Sequence, residues 1–162
     1  MQLGLAMARF SKVSAAFWRS KRVAGLSDVD RLAMLYLLTA EHQTSVGVAR
    51  IPAMYAAADL SWTEAKFNEA RGRLVDAGLI VFDPETHEMF AHGWFRFSPP
   101  QNPKHALGMQ KQIAETESEL VRSAALREFA RDAKTSEPEP PPPRRPRPTS
   151  RDPDFGKVDP DF

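Results

Sequence analysis

A chain of 162 residues without cysteine excludes disulfides and thiolate metal sites, and favours the cytoplasm over an oxidising compartment. No apolar run approaches the roughly 20 residues that span a bilayer, and Met1 to Phe10 lacks the basic start and long apolar centre of a secretory signal. The net charge of +1 hides a split, +5 before Asp28 with no acid at all, then 12 basic against 15 acidic residues to Lys134, so a nucleic-acid binder of this composition depends on local patches rather than on its overall field.

Residues 1–27 read as a basic arm carrying Arg9, Lys12, Arg19, Lys21 and Arg22. The stretch from Arg9 to Trp18 mixes β-branched and aromatic residues with polar ones, which suits a strand or an irregular segment, and Phe17 and Trp18 are apolar enough to anchor it to a core. Ser27, with Asp30 three residues on, predicts a helix start in which both Asp28 and Asp30 lie at the electropositive end. The helix to about Ala40 carries Val29, Leu32, Ala33, Leu35, Tyr36, Leu37 and Leu38, a stripe broad enough for a central core helix.

Val46 to Ile51 is a short β-branched run, and Pro52 fits the first turn of a brief helix ending near Asp59. Ser61 and Glu64 have the spacing of a capping box, which predicts the next helix start at Ser61. Phe67, Ala70, Leu74 and Ala77 then share one face, and Gly78 closes the helix. Leu79–Asp83 and Glu88–His92 read as two strands around the turn Pro84-Glu85-Thr86-His87. After Ser98-Pro99-Pro100-Gln101-Asn102-Pro103 a last helix is predicted from about Lys104 to Ala133 with apolar Leu107, Ile113, Leu120, Val121, Ala124 and Phe129, and a break near Thr116–Ser118 because those positions are irregularly spaced. Thr135–Phe162 holds nine of the fourteen prolines after Glu137 and almost no aliphatic residues, a composition that predicts disorder.

Short helix, tight break, longer helix, then a two-stranded hairpin is the order of a winged helix-turn-helix. The fold expected is therefore mainly α with a small β-hairpin wing (α+β), over residues 28–97, followed by a C-terminal helical extension at 98–134 and the disordered tail at 135–162. In such a fold the second helix of the pair is the probe that enters the major groove. Thr63, Lys66 and Asn68 lie toward its N-terminal end, Arg73 shares a flank with Lys66, and Arg71 lies near the other edge of the core face. Lysine and arginine suit phosphate, and asparagine suits adenine or backbone. Glu69 and Asp76 on the same exposed face oppose phosphate contact. His87 at the wing tip, with Arg96 and Lys104 beyond it, completes the candidate DNA-binding set. The basic arm is electrostatically the strongest part of it, although a solvated basic surface would look the same in sequence.

No pair of carboxylates or histidines has a spacing that suits general acid–base or metal work, and no phosphate-binding glycine loop is present. Enzymatic activity, a metal and a cofactor are accordingly not expected. The tail repeats Asp-Pro-Asp-Phe at 152–155 and 159–162. Asp159, Pro160, Asp161 and Phe162 resemble, over a few residues, the acidic phenylalanine-ending tails of bacterial single-stranded-DNA-binding proteins, which implies a protein partner.

The folded part as a whole resembles the N-terminal winged-helix domain of phage and prophage replication-initiation proteins, the replisome organisers related to DnaD-type initiators. The residues that carry this are Phe17–Asp28, Leu35–Thr39, Gly47–Pro52, Leu60–Glu64, Ala77–Thr86 and Gly93–Lys104. The resemblance covers roughly Arg9 to Ile113 and implies sequence-recognising binding to double-stranded DNA at replication initiation in the host cytoplasm, with replication proteins recruited through the tail. Arg71 stands where such proteins often have an apolar residue, and no second globular domain for helicase contact follows. A transcriptional regulator of the same fold, or a winged helix used for protein–protein interaction without DNA, remains compatible with the sequence. No heptad zipper is present, so a homodimer would use another surface.

Overall fold

Ser27 starts the first long helix as its position predicts, its hydroxyl accepting from the Asp30 N–H at 3.2 Å. The computed structural model of the chain describes residues 10–133; Arg9, Asp159, Pro160, Asp161 and Phe162, like all of 135–162, lie outside the described residues. In chain order a 3-10 turn (Ala15–Arg19) and a short α1 (Lys21–Ala24) lead into α2 (Asp28–Thr39), β1 (Val48–Arg50), α3 (Ala53–Leu60) and α4 (Glu64–Asp76). The hairpin β2 (Ile80–Phe82) and β3 (Glu88–Ala91) follows, then α5 (Trp94–Phe97), α6 (Pro103–Ala114) and α7 (Glu119–Ala133). The described residues are mainly helical with one small antiparallel sheet in the order β1-β3-β2, an α+β arrangement. Among the described residues no helix is long and apolar enough to cross a membrane.

The arm is folded. Ser14 caps the 3-10 turn through the Ala16 N–H, Val23 is buried, and Phe17 and Leu26 pack against the core. Arg31 fastens the end of α1 to α2 by donating to the carbonyls of Val23 and Ala24. Trp18 does not anchor the arm as expected. It is 62% exposed and meets only the edge of Phe17, because a 3-10 turn cannot aim two adjacent side chains at the same core.

The start of α4 also differs from the capping-box reading. Ser61 takes the left-handed conformation (φ 54°) that ends α3, and Thr63 is the cap, accepting from the Lys66 N–H at 3.2 Å. Glu64 thus occupies the first helical position, too early to reach back across a turn. At the other end Gly78 (φ 64°) closes the helix.

β3 is buried along its whole length because the sheet is covered on both faces. Side chains alternate across a strand. Met89 and Ala91 therefore join Ala49, Ile51 and Ile80 in a core roofed by α2, α3 and α4. Phe90 faces the other way, with Val46 and Val48, into a second core closed by Phe95, by Met109 and Ile113 of α6, and by Val121, Ala124, Ala125 and Phe129 of α7. The C-terminal helices are thus one wall of the same body. Their chain breaks at 115–118, where the sequence predicts it, and each helix carries its own stripe; Leu107 and Leu120, expected to be core, are exposed.

Two buried carboxylates clamp α7. Glu88 accepts from the N–H groups of Glu117 (3.2 Å) and Ser118 (2.6 Å) at its start, while Ser118 caps it through the Val121 N–H. Near the other end Glu128 accepts from the Gly93 N–H at 2.6 Å and meets His92 Nδ1 at 3.1 Å.

Candidate nucleic-acid interface

The outer face of α4 presents Glu64, Ala65, Lys66, Asn68, Glu69, Gly72 and Asp76 to solvent. Three of these are carboxylates, and two of the helix's three cations, Arg71 and Arg73, are engaged elsewhere. Arg73 donates to both oxygens of Asp30, at 2.9 and 3.1 Å from Nε. Arg71 is buried, with its guanidinium 3.5 Å from the centre of the Phe82 ring. Burial pulls its pKa down to about 10, and its Nη1 has no partner among the described residues. Arg71, expected among the DNA-contacting residues, lies against the hairpin, where its side chain covers Phe82 and Phe67 instead of reaching solvent. Asn68 is drawn into the same group, its Oδ1 accepting from Arg71 Nη2 at 2.6 Å. Lys66 lies over the Trp62 ring at 4.4 Å with its ammonium at the surface. Thr63 is exposed, but its oxygen is committed to the cap.

Asp30 is the partner that sequence reasoning missed. It lies 43 positions from Arg73 and is almost fully buried, so no local spacing announces it. Burial pushes its carboxyl upward, but hydrogen bonds from Arg73 and Ser27, with the Arg73 charge, outweigh this and hold it below the ordinary value of 3.8. A carboxylate more acidic in the folded state stabilises the fold above its unfolded pKa near 3.8, and that contribution disappears as pH falls through the lower, folded value. Asp30→Asn is expected to cost about 1–2 kcal/mol at pH 7. Its thermal midpoint, followed by circular dichroism from pH 7 to 2, should converge on that of the parent in acid; a constant gap would show that the pair does not titrate.

The remaining candidates fall into two groups. Arg22 donates to the Gly78 carbonyl, which places the arm at the C-terminal end of α4. Lys12 and Arg22 line one groove with His92 and Arg96. Thirteen residues of helix, about 20 Å, separate this end from Thr63. Arg19, Lys21, Arg96 and Lys104 are exposed and have no ion-pair partner among the described residues. His87 is exposed at the hairpin tip in the left-handed region (φ 57°), held by a turn in which Asp83 accepts from the Glu85 N–H. His92, turned toward α7, shares no site with it, and among the described residues no three His, Asp or Glu side chains converge as a metal ion would require.

Comparisons of the chain with protein-family models, with curated proteins and with solved structures find no match.

Proposed function

We propose that the chain is a non-enzymatic winged-helix protein that binds duplex DNA mainly through its phosphates. Helices α2, α3 and α4 followed by the β2–β3 hairpin, with β1 added beside β3, support the winged-helix reading. The observation that carries the DNA reading is the set of exposed cations: Lys12, Arg19 and Lys21 on the arm, Lys66 on α4, and Arg96 and Lys104 beyond the hairpin. With Arg71 and Arg73 engaged and Asn68 accepting from Arg71, α4 has little left for reading bases, so backbone contact dominates. A role in replication initiation of a phage or prophage, in the cytoplasm of the host, rests on the family resemblance; a transcriptional role for the same fold is the alternative.

Each phosphate contact contributes roughly −0.9 to the slope of log affinity against log salt. Four or five contacts predict a slope of about −4 on random duplex DNA, and the double variant R19E/K21E should weaken binding to every sequence alike. A slope near zero, or no binding at low salt, overturns the proposal. That outcome favours a protein-binding winged helix, which the exposed Glu64, Glu69 and Asp76 on α4 would suit.

A further inference from the structure

The groove between the arm, the end of β3 and α5 has a volume of about 180 Å³ and is lined by Val13, Phe17, Leu38, Leu79, Trp94 and Phe97 among other apolar residues. Its polar lining includes Lys12, Arg22, His92 and Arg96 and, among the described residues, no carboxylate. Phe97 on its rim is 63% exposed. An apolar hollow bordered by Lys12, Arg22 and Arg96, on a body whose outer helix face is acidic, selects a ligand with an aromatic group between negative charges. We propose that this groove docks the acidic, phenylalanine-bearing segment of the chain's own tail, residues 152–162, which carries Asp-Pro-Asp-Phe twice.

Size, charge and chain path agree. A cavity of about 150 Å³ lined by apolar side chains accepts benzene, so this groove accommodates one phenylalanine ring. In both repeats one aspartate adjoins the phenylalanine and another lies two residues further back, so a ring seated in the groove brings two carboxylates to a lining that holds Lys12, Arg22 and Arg96. The tail also begins beside the groove. Glu128 holds both His92 and Gly93, which line it, and Ala133 follows Glu128 by five residues, about 7.5 Å of helix. Residues 134 to 151, eighteen in all, provide roughly 60 Å of contour for the return. A tethered segment of this kind has an effective concentration on the order of 1 mM, so an intrinsic Kd of about 0.1 mM keeps the groove about nine-tenths filled.

The test uses the full chain with a photoreactive benzoylphenylalanine at position 155 or, separately, at 162. Irradiated mixtures of isotopically heavy and light protein are digested and the cross-links mapped by mass spectrometry. The expected result is attachment to Phe17, Trp94 or Phe97 within one chain, reduced at least five-fold in K12E/R96E, two exposed positions whose change leaves the thermal midpoint unaltered. Heavy–light products would overturn docking by the same chain and assign the groove to a second copy. Cross-links scattered over the surface, or a yield indifferent to the two charge reversals, would overturn the groove as the site.

Discussion

Gly47→Ala is expected to lower stability by about 2–5 kcal/mol, among the largest effects of any single-methyl change in this protein. Gly47 has φ +73°, and a Cβ placed there would lie 2.5 Å from Trp94 Cγ and 2.8 Å from Trp94 Cβ. The left-handed conformation costs a non-glycine residue roughly 1–2 kcal/mol, and overpacking adds roughly 1–3 kcal/mol. Trp94 is held in place by two sets of contacts. Its Nε1 donates to the Ser45 carbonyl at 2.9 Å, and its ring packs against the cores on both faces of the sheet. Chemical denaturation of Gly47→Ala in the parent and in a Trp94→Leu background separates the two costs. With the indole gone, alanine should cost only the backbone part; an unchanged cost would mean that the clash is not with Trp94.

Glu88→Ala is the second, with an expected loss of about 2–4 kcal/mol. The substitution leaves the N–H groups of Glu117 and Ser118 without their acceptor at the start of α7, where a negative charge also opposes the helix dipole favourably. The damage should be local before it is global. Hydrogen exchange is expected to show amides of α7 losing protection while those of α2 and α4 keep theirs. The control is Glu117→Ala. Glu117 also pairs with Arg50, but at the exposed surface, where such pairs contribute at most about 1 kcal/mol. Equal losses from the two variants would refute a clamp at Glu88.

What the sequence made legible was whatever depends on neighbours along the chain. The Ser27 cap, the Gly78 stop, the hairpin from Leu79 to His92 and the break before Ser118 all follow from turn and cap chemistry, and all are present. Ser61 was misread because two hydroxyl residues compete within three positions, and only the backbone of Ser61 decides between them. Leu107 and Leu120 misled because the last two helices have different phases, which a single stripe averages away. The site was harder. Arg71 and Arg73 look like surface cations in any helical projection, and only contacts with Phe82 on the hairpin and Asp30 on α2 remove them from the list of free charges. Lys12, Arg22 and Arg96 meet in one groove because the arm folds back on the sheet, a convergence that spacing cannot show.

The burial of β3 on both faces has a consequence for synthesis. Phe90 is made before the residue that completes its surroundings, Phe129, which lies 39 positions later in the chain. At about 5–20 residues per second, the outer face of the sheet stays bare for about 2–8 s on each nascent chain. During that interval Val46, Val48, Phe90 and Phe95 form an open apolar surface. Slow codons between Phe95 and Phe129 should therefore increase misfolding, whereas slow codons before Val46 should not.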